Sequence, residues 1–204
     1  MIRAVVFDLG GVIVQITLDV AEAAARSGLS IDAKCTFPDL DFFLCYQRGT
    51  LSCQEYLTVL AQQFSLTTAE AQRLHAGILV AEYPGISGMI ANLNEAGLKT
   101  AVLSNTNELH WQEMKSGRWS AFDLIQLPLG SHEVNLEKPQ VEFYRELEVR
   151  LGVNPEEIIF FDDGEKNVLG AKEAGWQAHL IDPAGDTAAQ IRIHLGVLVP
   201  HSEE

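Results

Sequence analysis

Four short polar clusters hold the residues of this 204-residue chain best suited to chemistry. They are Asp8-Leu9-Gly10-Gly11, Ser104-Asn105-Thr106-Asn107, Lys138-Pro139 and Asp162-Asp163-Gly164. Three of them directly follow a short apolar run, and Lys138-Pro139 lies just before a helical pattern. Where such runs are parallel strands of an open sheet, their carboxyl ends open into one crevice, the usual ligand position of that architecture. Carboxylates from two strand ends can hold a hard, oxygen-seeking cation such as Mg²⁺. A serine hydroxyl, backbone amides and a lysine suit phosphate oxygens. The adjacent Asp162 and Asp163 repel each other unless a cation or a proton intervenes, which favours a metal site over a structural pair. Taken singly, each cluster has a plainer reading: Asp8 before two glycines makes a turn, Ser104 caps a helix, and Lys138 is a surface lysine. Their common position in one series of elements sets them apart.

Those elements can be read from the spacing of apolar residues. The runs at 4–7, 100–103, 158–161 and 178–181 are continuous rather than alternating and rich in β-branched residues, the pattern of strands covered on both faces. Helical patterns at 85–96, 141–151 and 167–174 precede the second, third and fourth runs. Strands alternating with helices predict an α/β fold with a Rossmann-like, doubly wound parallel sheet. A further strand is expected to carry 124–127. The segment 17–83 breaks the alternation, with helix-like stretches at 18–26, 54–64 and 69–81 and no strand pattern. It reads as a small helical insertion after the first strand, so that 1–16 and 84–204 form the core domain. Ser52 with Glu55 three residues later has the capping-box spacing that starts a helix, and Thr67 or Thr68 is placed to cap the next one with Glu70 in its first turn. Phe37, Phe42 and Phe43 are expected in the insertion's own core, and the tail 200–204 is expected to fray.

Composition narrows the function. A formal net charge of −14 without Lys or Arg clusters repels nucleic acid and anionic lipid headgroups. An acidic enzyme that takes an anionic phosphate ester must therefore concentrate positive charge locally, through a metal ion and a placed lysine. Cys35, Cys45 and Cys53 are odd in number and show no metal-ligand spacing, so free thiols are expected. The N-terminal apolar run is too short for a signal peptide, and no stretch reaches the roughly 18 apolar residues of a membrane span. The expectation is a cytoplasmic protein, monomer or homodimer, that acts on a small molecule.

In order and spacing, the four clusters resemble the four motifs of the haloacid dehalogenase superfamily across almost the whole chain. FDLGG matches the first motif, LSNT the second, the lysine of EKP the third and FFDDGEKN the acidic fourth. The resemblance implies a Rossmann-like core with a helical cap where 17–83 lies. It implies Mg²⁺-dependent hydrolysis of a small phosphate monoester, with Asp8 as the nucleophile that is transiently phosphorylated. Asp8, the Gly10 carbonyl, Asp163 and Asp162 would hold the metal. Ser104 and Lys138 would hold the phosphoryl oxygens, assisted by backbone amides near Gly10, Gly11 and Asn105, while Asn167 orients Asp163 or Lys138. Within the superfamily the chain resembles a bacterial branch with a DLG-type first motif, which includes α-glucose-1-phosphate phosphatase. LSNTN followed by Leu109-His110, and Arg48-Gly49 in the insertion, carry that likeness.

Position 10 departs from most phosphatases of the superfamily, which carry there a second aspartate for acid-base catalysis. Glycine can supply no proton, a loss of typically ~10²–10⁴-fold that falls hardest on poor leaving groups. A sugar 1-phosphate, with its relatively acidic anomeric oxygen, suits such a site. A haloacid dehalogenase needs no divalent metal, which the Asp162-Asp163 pair argues against, and a phosphomutase needs the missing acid-base group. A catalytically weak binding or regulatory protein is the alternative from another class. Arg48 has two readings, a substrate contact from the insertion or a solvated loop residue. His110 and Trp111 either line the crevice or anchor the helix that follows.

Overall fold

The computed structural model describes residues 1–196 of the chain, so the tail expected to fray lies outside the described residues. Strand β1 (Ala4–Phe7) is followed by β2 (Val14–Ile16) and then by four helices: α1 (Val20–Arg26), α2 (Asp41–Gln47), α3 (Cys53–Phe64) and α4 (Thr68–Ala76). Strand β3 (Leu79–Glu82) leads back to α5 (Ile86–Glu95), β4 (Lys99–Ser104), α6 (Glu108–Met114), α7 (Ser120–Asp123), β5 (Leu127–Gly130) and α8 (Ser131–Val134). The chain continues through α9 (Val141–Leu151), β6 (Ile158–Asp162), α10 (Glu165–Glu173), β7 (Gln177–Leu180) and α11 (Thr187–Leu195).

Five strands form one parallel sheet in the order β5-β4-β1-β6-β7, the doubly wound α/β sheet that the apolar runs predict. The physical reason for unbroken apolar runs is visible in the two faces. Val5, Phe7, Val102, Ile159 and Phe161 point toward α5, α6 and α11, while Ala4, Val6, Ala101, Leu103, Ile158 and Phe160 point toward α9 and α10. Side chains alternate across a strand, so a sheet covered on both faces needs apolar residues at every position. Each fully buried phenylalanine contributes roughly 1.5–3 kcal/mol relative to exposure. Because β1 lies at the centre, its carboxyl end is flanked by the ends of β4 and β6, and Phe7 pairs with both Val102 and Phe161.

Residues 17–78 gather around a separate apolar cluster that includes Phe37, Phe43, Tyr46, Tyr56, Leu60 and Leu74, with Phe42 partly buried at its edge. Capping boxes start α3 at Ser52 with Glu55 and α4 at Thr67 with Glu70, as the spacing predicts. Several expectations need correction. The stretch 69–81 is not one helix: α4 ends at Ala76, and 79–82 is a strand that pairs antiparallel with β2, Val14 opposite Glu82. The break falls at Gly77, whose backbone packs against the Ala23 carbonyl and Ser27, leaving no room for a side chain. The helix α2 has no counterpart among the sequence patterns, because its DFFLCYQ sequence reads as an aromatic cluster rather than a helical stripe. The strand expected over 124–127 is shifted to 127–130, since Leu124 caps α7. Pro128 and Gly130 are weak strand signals, tolerated here because β5 is an edge strand. Among the described residues no helix is long and apolar enough to cross a membrane.

Candidate active site

The strand ends bring Asp8, Ser104 and Asp162 together. The Asp8 N–H donates to the Phe161 carbonyl at 2.8 Å, which continues the β1–β6 ladder by one residue and sets the two carboxylates side by side. Lys138 arrives from the loop before α9, and its ammonium lies 2.9 Å from Asp8 Oδ1 and 2.6 Å from Asp162 Oδ2. The lysine side chain is fully buried, so it is a placed charge and not a surface lysine. Its ammonium lies over the Phe160 ring, 5.5 Å from the centroid. Asn105 fastens this loop from the end of β4: its Oδ1 accepts from the Lys138 N–H at 2.8 Å and its Nδ2 donates to the Lys138 carbonyl at 3.0 Å. The Lys138–Pro139 peptide held in this way is cis.

Asp162 is the hub of the fourth cluster. Its Oδ1 accepts from the Gly164 N–H at 2.7 Å and from Asn167 Nδ2 at 2.9 Å, while Oδ2 takes the lysine. Asn167 therefore orients Asp162, rather than reaching Asp163 or Lys138 directly. Asp163 stands more exposed at the rim, and one oxygen from each of Asp8, Asp162 and Asp163 lies within 4.8 Å of the others. Gly11 makes that approach possible. It adopts φ +77°, and a β-carbon would overlap the Asp163 carboxylate. Gly28, also left-handed at φ +68°, has nothing within 4 Å of such a carbon. Gly11→Ala is expected to lower stability by about 1–3 kcal/mol and to weaken divalent-cation binding at least tenfold. Gly28→Ala should show only the backbone strain. Thermal unfolding and cation titration of the two variants check this, and equal effects would leave the Gly11–Asp163 contact without consequence.

The electrostatics follow from two buried carboxylates and one buried ammonium, with the Asp163 carboxylate beside them at the rim. Burial raises the Asp8 carboxyl, Lys138 pulls it down, and Asp162 and Asp163 push it up again, for a net rise to about 7. Asp163 is also raised, by desolvation and then by Asp162. Burial lowers the Lys138 pKa, but Asp162 and Asp8 more than offset that, so the net direction is upward and the lysine stays charged. One cation among three close carboxylates leaves an excess of negative charge that a hard divalent ion would neutralise, and the donors are all oxygens. The residues present fit Mg²⁺.

Ser104 ends β4 and is 3% exposed at the same mouth. Gly10 lies beside β2: a β-carbon on it would come 2.8 Å from Ile16 Cδ1, so an apolar side chain covers the position. Arg48 does not reach Asp8. It caps α2, and its Nε donates to Glu137 Oε1 at 2.9 Å, which ties the insertion to the residue before Lys138. Trp111 is buried in the core and anchors α6, and His110 is buried with its imidazole stacked on His75. Three residues at this junction have no signal in the sequence. Gln47 donates through Nε2 to the Asn105 carbonyl at 3.3 Å. Ser131 donates to the Gln47 carbonyl at 2.6 Å and accepts from the Thr106 N–H at 3.0 Å. Glu137 holds Arg48. Each acts only because α2, α8 and the β4 loop meet in space.

Comparison with known proteins agrees with this geometry. A family model for haloacid dehalogenase-like hydrolases matches residues 2–175. A phosphatase of Mycobacterium tuberculosis is 28% identical over 91% of this chain and 90% of its own length. A solved structure from Porphyromonas gingivalis, described as a predicted HAD-like family hydrolase, superposes with a TM-score of 0.81 at 27% identity, covering 96% of this chain and 98% of that one. A HAD family enzyme of Bacteroides thetaiotaomicron, solved with magnesium and inorganic phosphate, shares the fold with a TM-score of 0.78. Its identity is 21%, over 94% of this chain and 100% of that one. By its strand-end carboxylates, its buried lysine and the span of the family match, the chain belongs to the haloacid dehalogenase-like hydrolases.

Proposed function

We propose that this hydrolase is a Mg²⁺-dependent phosphatase of small phosphate monoesters, with Asp8 as nucleophile. The observation that carries the reading is the buried Lys138 ammonium shared between Asp8 and Asp162, with Asp163 close to both carboxylates and Ser104 at the end of the neighbouring strand. Attack by an Asp8 oxygen on phosphorus forms a new P–O bond as the bond to the leaving oxygen breaks, and water later cleaves the aspartyl-phosphate. Lys138 offsets the repulsion between an anionic nucleophile and an anionic ester and binds a phosphoryl oxygen as charge moves. Ser104 and the amides of Gly10, Gly11 and Asn105 hold the remaining oxygens. Asp8, Asp163, Asp162 and the Gly10 carbonyl would hold Mg²⁺, which supplies charge neutralisation at the phosphoryl group when bound. Asn167 keeps Asp162 aimed at the lysine. The M. tuberculosis relative named as a phosphatase, and the solved neighbour with magnesium and phosphate, support the reading.

In the same reading 17–83 is a cap on a core made of 1–16 and 84–204, with Arg48 and Gln47 closing its edge near Lys138. Substrates with good leaving groups are favoured, because Gly10 offers no acid and Ile16 covers the place beside it. A sugar 1-phosphate, the type of substrate suggested by the likeness to α-glucose-1-phosphate phosphatase, belongs to that class. Dehalogenation is disfavoured, since it needs no carboxylate trio for a metal. The test is phosphate release from aryl phosphates, sugar 1-phosphates and sugar 6-phosphates with and without Mg²⁺. Metal-dependent release is expected, with the esters of more acidic leaving groups ahead by on the order of 10²-fold or more. Absence of release by folded protein across the panel would favour a phosphate-binding or regulatory role.

A further inference from the structure

The insertion and the core are joined by a buried chain of four side chains. Tyr56 Oη lies 2.7 Å from His75 Nδ1, His75 Nε2 lies 3.0 Å from Asn107 Oδ1, and Asn107 Nδ2 lies 3.3 Å from His110 Nδ1. His110 Nε2 faces the His75 carbonyl at 3.4 Å, and the two imidazoles stack with centroids 4.1 Å apart. One arrangement of protons satisfies every pair. Asn107 Oδ1 also accepts from the His110 backbone N–H at 3.1 Å, which fixes the orientation of the amide. The Asn107 oxygen can only accept, so His75 Nε2 donates to it and His75 Nδ1 accepts from the Tyr56 hydroxyl. The Asn107 nitrogen can only donate, so His110 Nδ1 accepts and His110 Nε2 donates to the carbonyl. Burial holds both imidazoles neutral, as this pattern requires: His75 lies well below its ordinary pKa and His110 falls to about 4. The rings of Phe37, Phe43, Tyr46 and Tyr56 surround His75 at 5.1–6.3 Å and leave it little freedom.

Asn107 ends the loop that begins at Ser104. The insertion grips this loop twice, through Gln47 at the Asn105 carbonyl and through His75 at the Asn107 side chain. We propose that His75 is a positioning residue: from the insertion it fixes Asn107, and through it holds Ser104 and Asn105 in the arrangement that receives a phosphoryl group. This inference rests on the reading of that loop as phosphate-binding. It makes the docking of the insertion a condition for a well-formed phosphate site, and it assigns the task to a histidine that touches no substrate.

The test compares His75→Gln, which keeps a nitrogen donor within reach of Asn107, with His75→Leu, which fills similar volume without one. The readouts are kcat/KM for an aryl phosphate in Mg²⁺, affinity for inorganic phosphate in Mg²⁺, and the thermal midpoint. Loss of about tenfold in kcat/KM and in phosphate affinity is expected for His75→Leu, with recovery to within about threefold of wild type in His75→Gln whatever its thermal midpoint. Equal kcat/KM in the two variants, or wild-type values in both beside a lowered midpoint, would overturn the proposal. If His75→Leu does not fold, Asn107→Ser tests the contact from the core side, because serine still caps α6 but gives up the amide links to His75 and His110. The same tenfold loss supports the proposal, and wild-type kcat/KM refutes it. If wild type releases no phosphate at all, the phosphatase reading fails by itself. Phosphate affinity then decides the role of His75, with a loss in Leu but not in Gln as support and equal affinities as refutation.

Discussion

Asp8→Asn is expected to abolish metal-dependent phosphate release, by on the order of 10⁴-fold or more, while making the metal-free protein more stable. The first effect follows because an amide oxygen is a poor nucleophile. The second follows from the electrostatics of the empty-handed carboxylate. In the folded protein the Asp8 carboxyl is raised from 3.8 to about 7, chiefly by burial. Below about pH 4 the group is protonated in both folded and unfolded chains and favours neither. As pH rises, the unfolded chain gives up the proton first, so folding stability is lost progressively until the pH passes about 7. The full penalty is roughly 4 kcal/mol as an upper figure. Asparagine never ionises, so its advantage should be near zero in acid and largest above neutrality. Thermal unfolding in EDTA at about pH 4 and pH 8 reads this directly. A stability difference that is the same at both pH values would show that desolvation of Asp8 is not its source. Mg²⁺ should reverse the ranking, because it stabilises the ionised wild-type carboxylate and gains less from the amide.

Lys138→Met has the largest expected effect on stability. The side chain it replaces is fully buried between Asp8 and Asp162, and methionine leaves those carboxylates with no cation. Removing one member of a buried ion pair typically destabilises by 3–5 kcal/mol, since the remaining charge keeps its desolvation penalty without its partner. The loss should shrink in acid, where Asp8 is protonated and needs no counter-charge. Mg²⁺ should restore part of the stability but little of the activity, because a phosphoryl oxygen still lacks its ammonium partner. Denaturant unfolding in EDTA and in Mg²⁺ at neutral and acid pH measures all three. A metal-free change below about 1 kcal/mol at neutral pH would mean that the lysine charge is balanced by something other than the two aspartates.

These two outcomes bear on a single arrangement, a carboxylate, proposed as the nucleophile, whose own burial disfavours its ionised form. A site of this kind holds its charge ready at the expense of the metal-free fold, as is common where catalysis requires close like charges. The insertion adds a second layer. Arg48 with Glu137, Gln47 with Asn105 and His75 with Asn107 place three of its contacts on segments that carry the groups proposed to bind phosphate.

How far the sequence reaches is clearest at Asp8, Ser104, Lys138 and Asp162. Their convergence was legible because a two-sided parallel sheet demands continuous apolar runs, and parallel strands deliver the residue after each run to the same edge. The capping boxes at Ser52 and Thr67 were legible for a similar reason, since partners three residues apart need no tertiary information. The β2–β3 ribbon was not, because Val14 meets Glu82 only through a pairing that closes the whole insertion. The bounds of the edge strand β5 are not legible in the sequence, because Pro128 and Gly130 are tolerated by its position in the sheet and not by local propensity.

The sequence by itself determined the sheet, the order of its polar ends and the oxygen-rich chemistry they can support. Tertiary structure alone decided that Asn167 serves Asp162, that Ile16 covers Gly10, and that Arg48 spends its charge on Glu137. It also turned His75 and Asn107, two polar residues with no common motif, into one hydrogen-bonded pair. The reason is physical: a strand's burial is written in its own residues, whereas a side chain's partner depends on which distant surfaces pack together and which polar groups they must then satisfy.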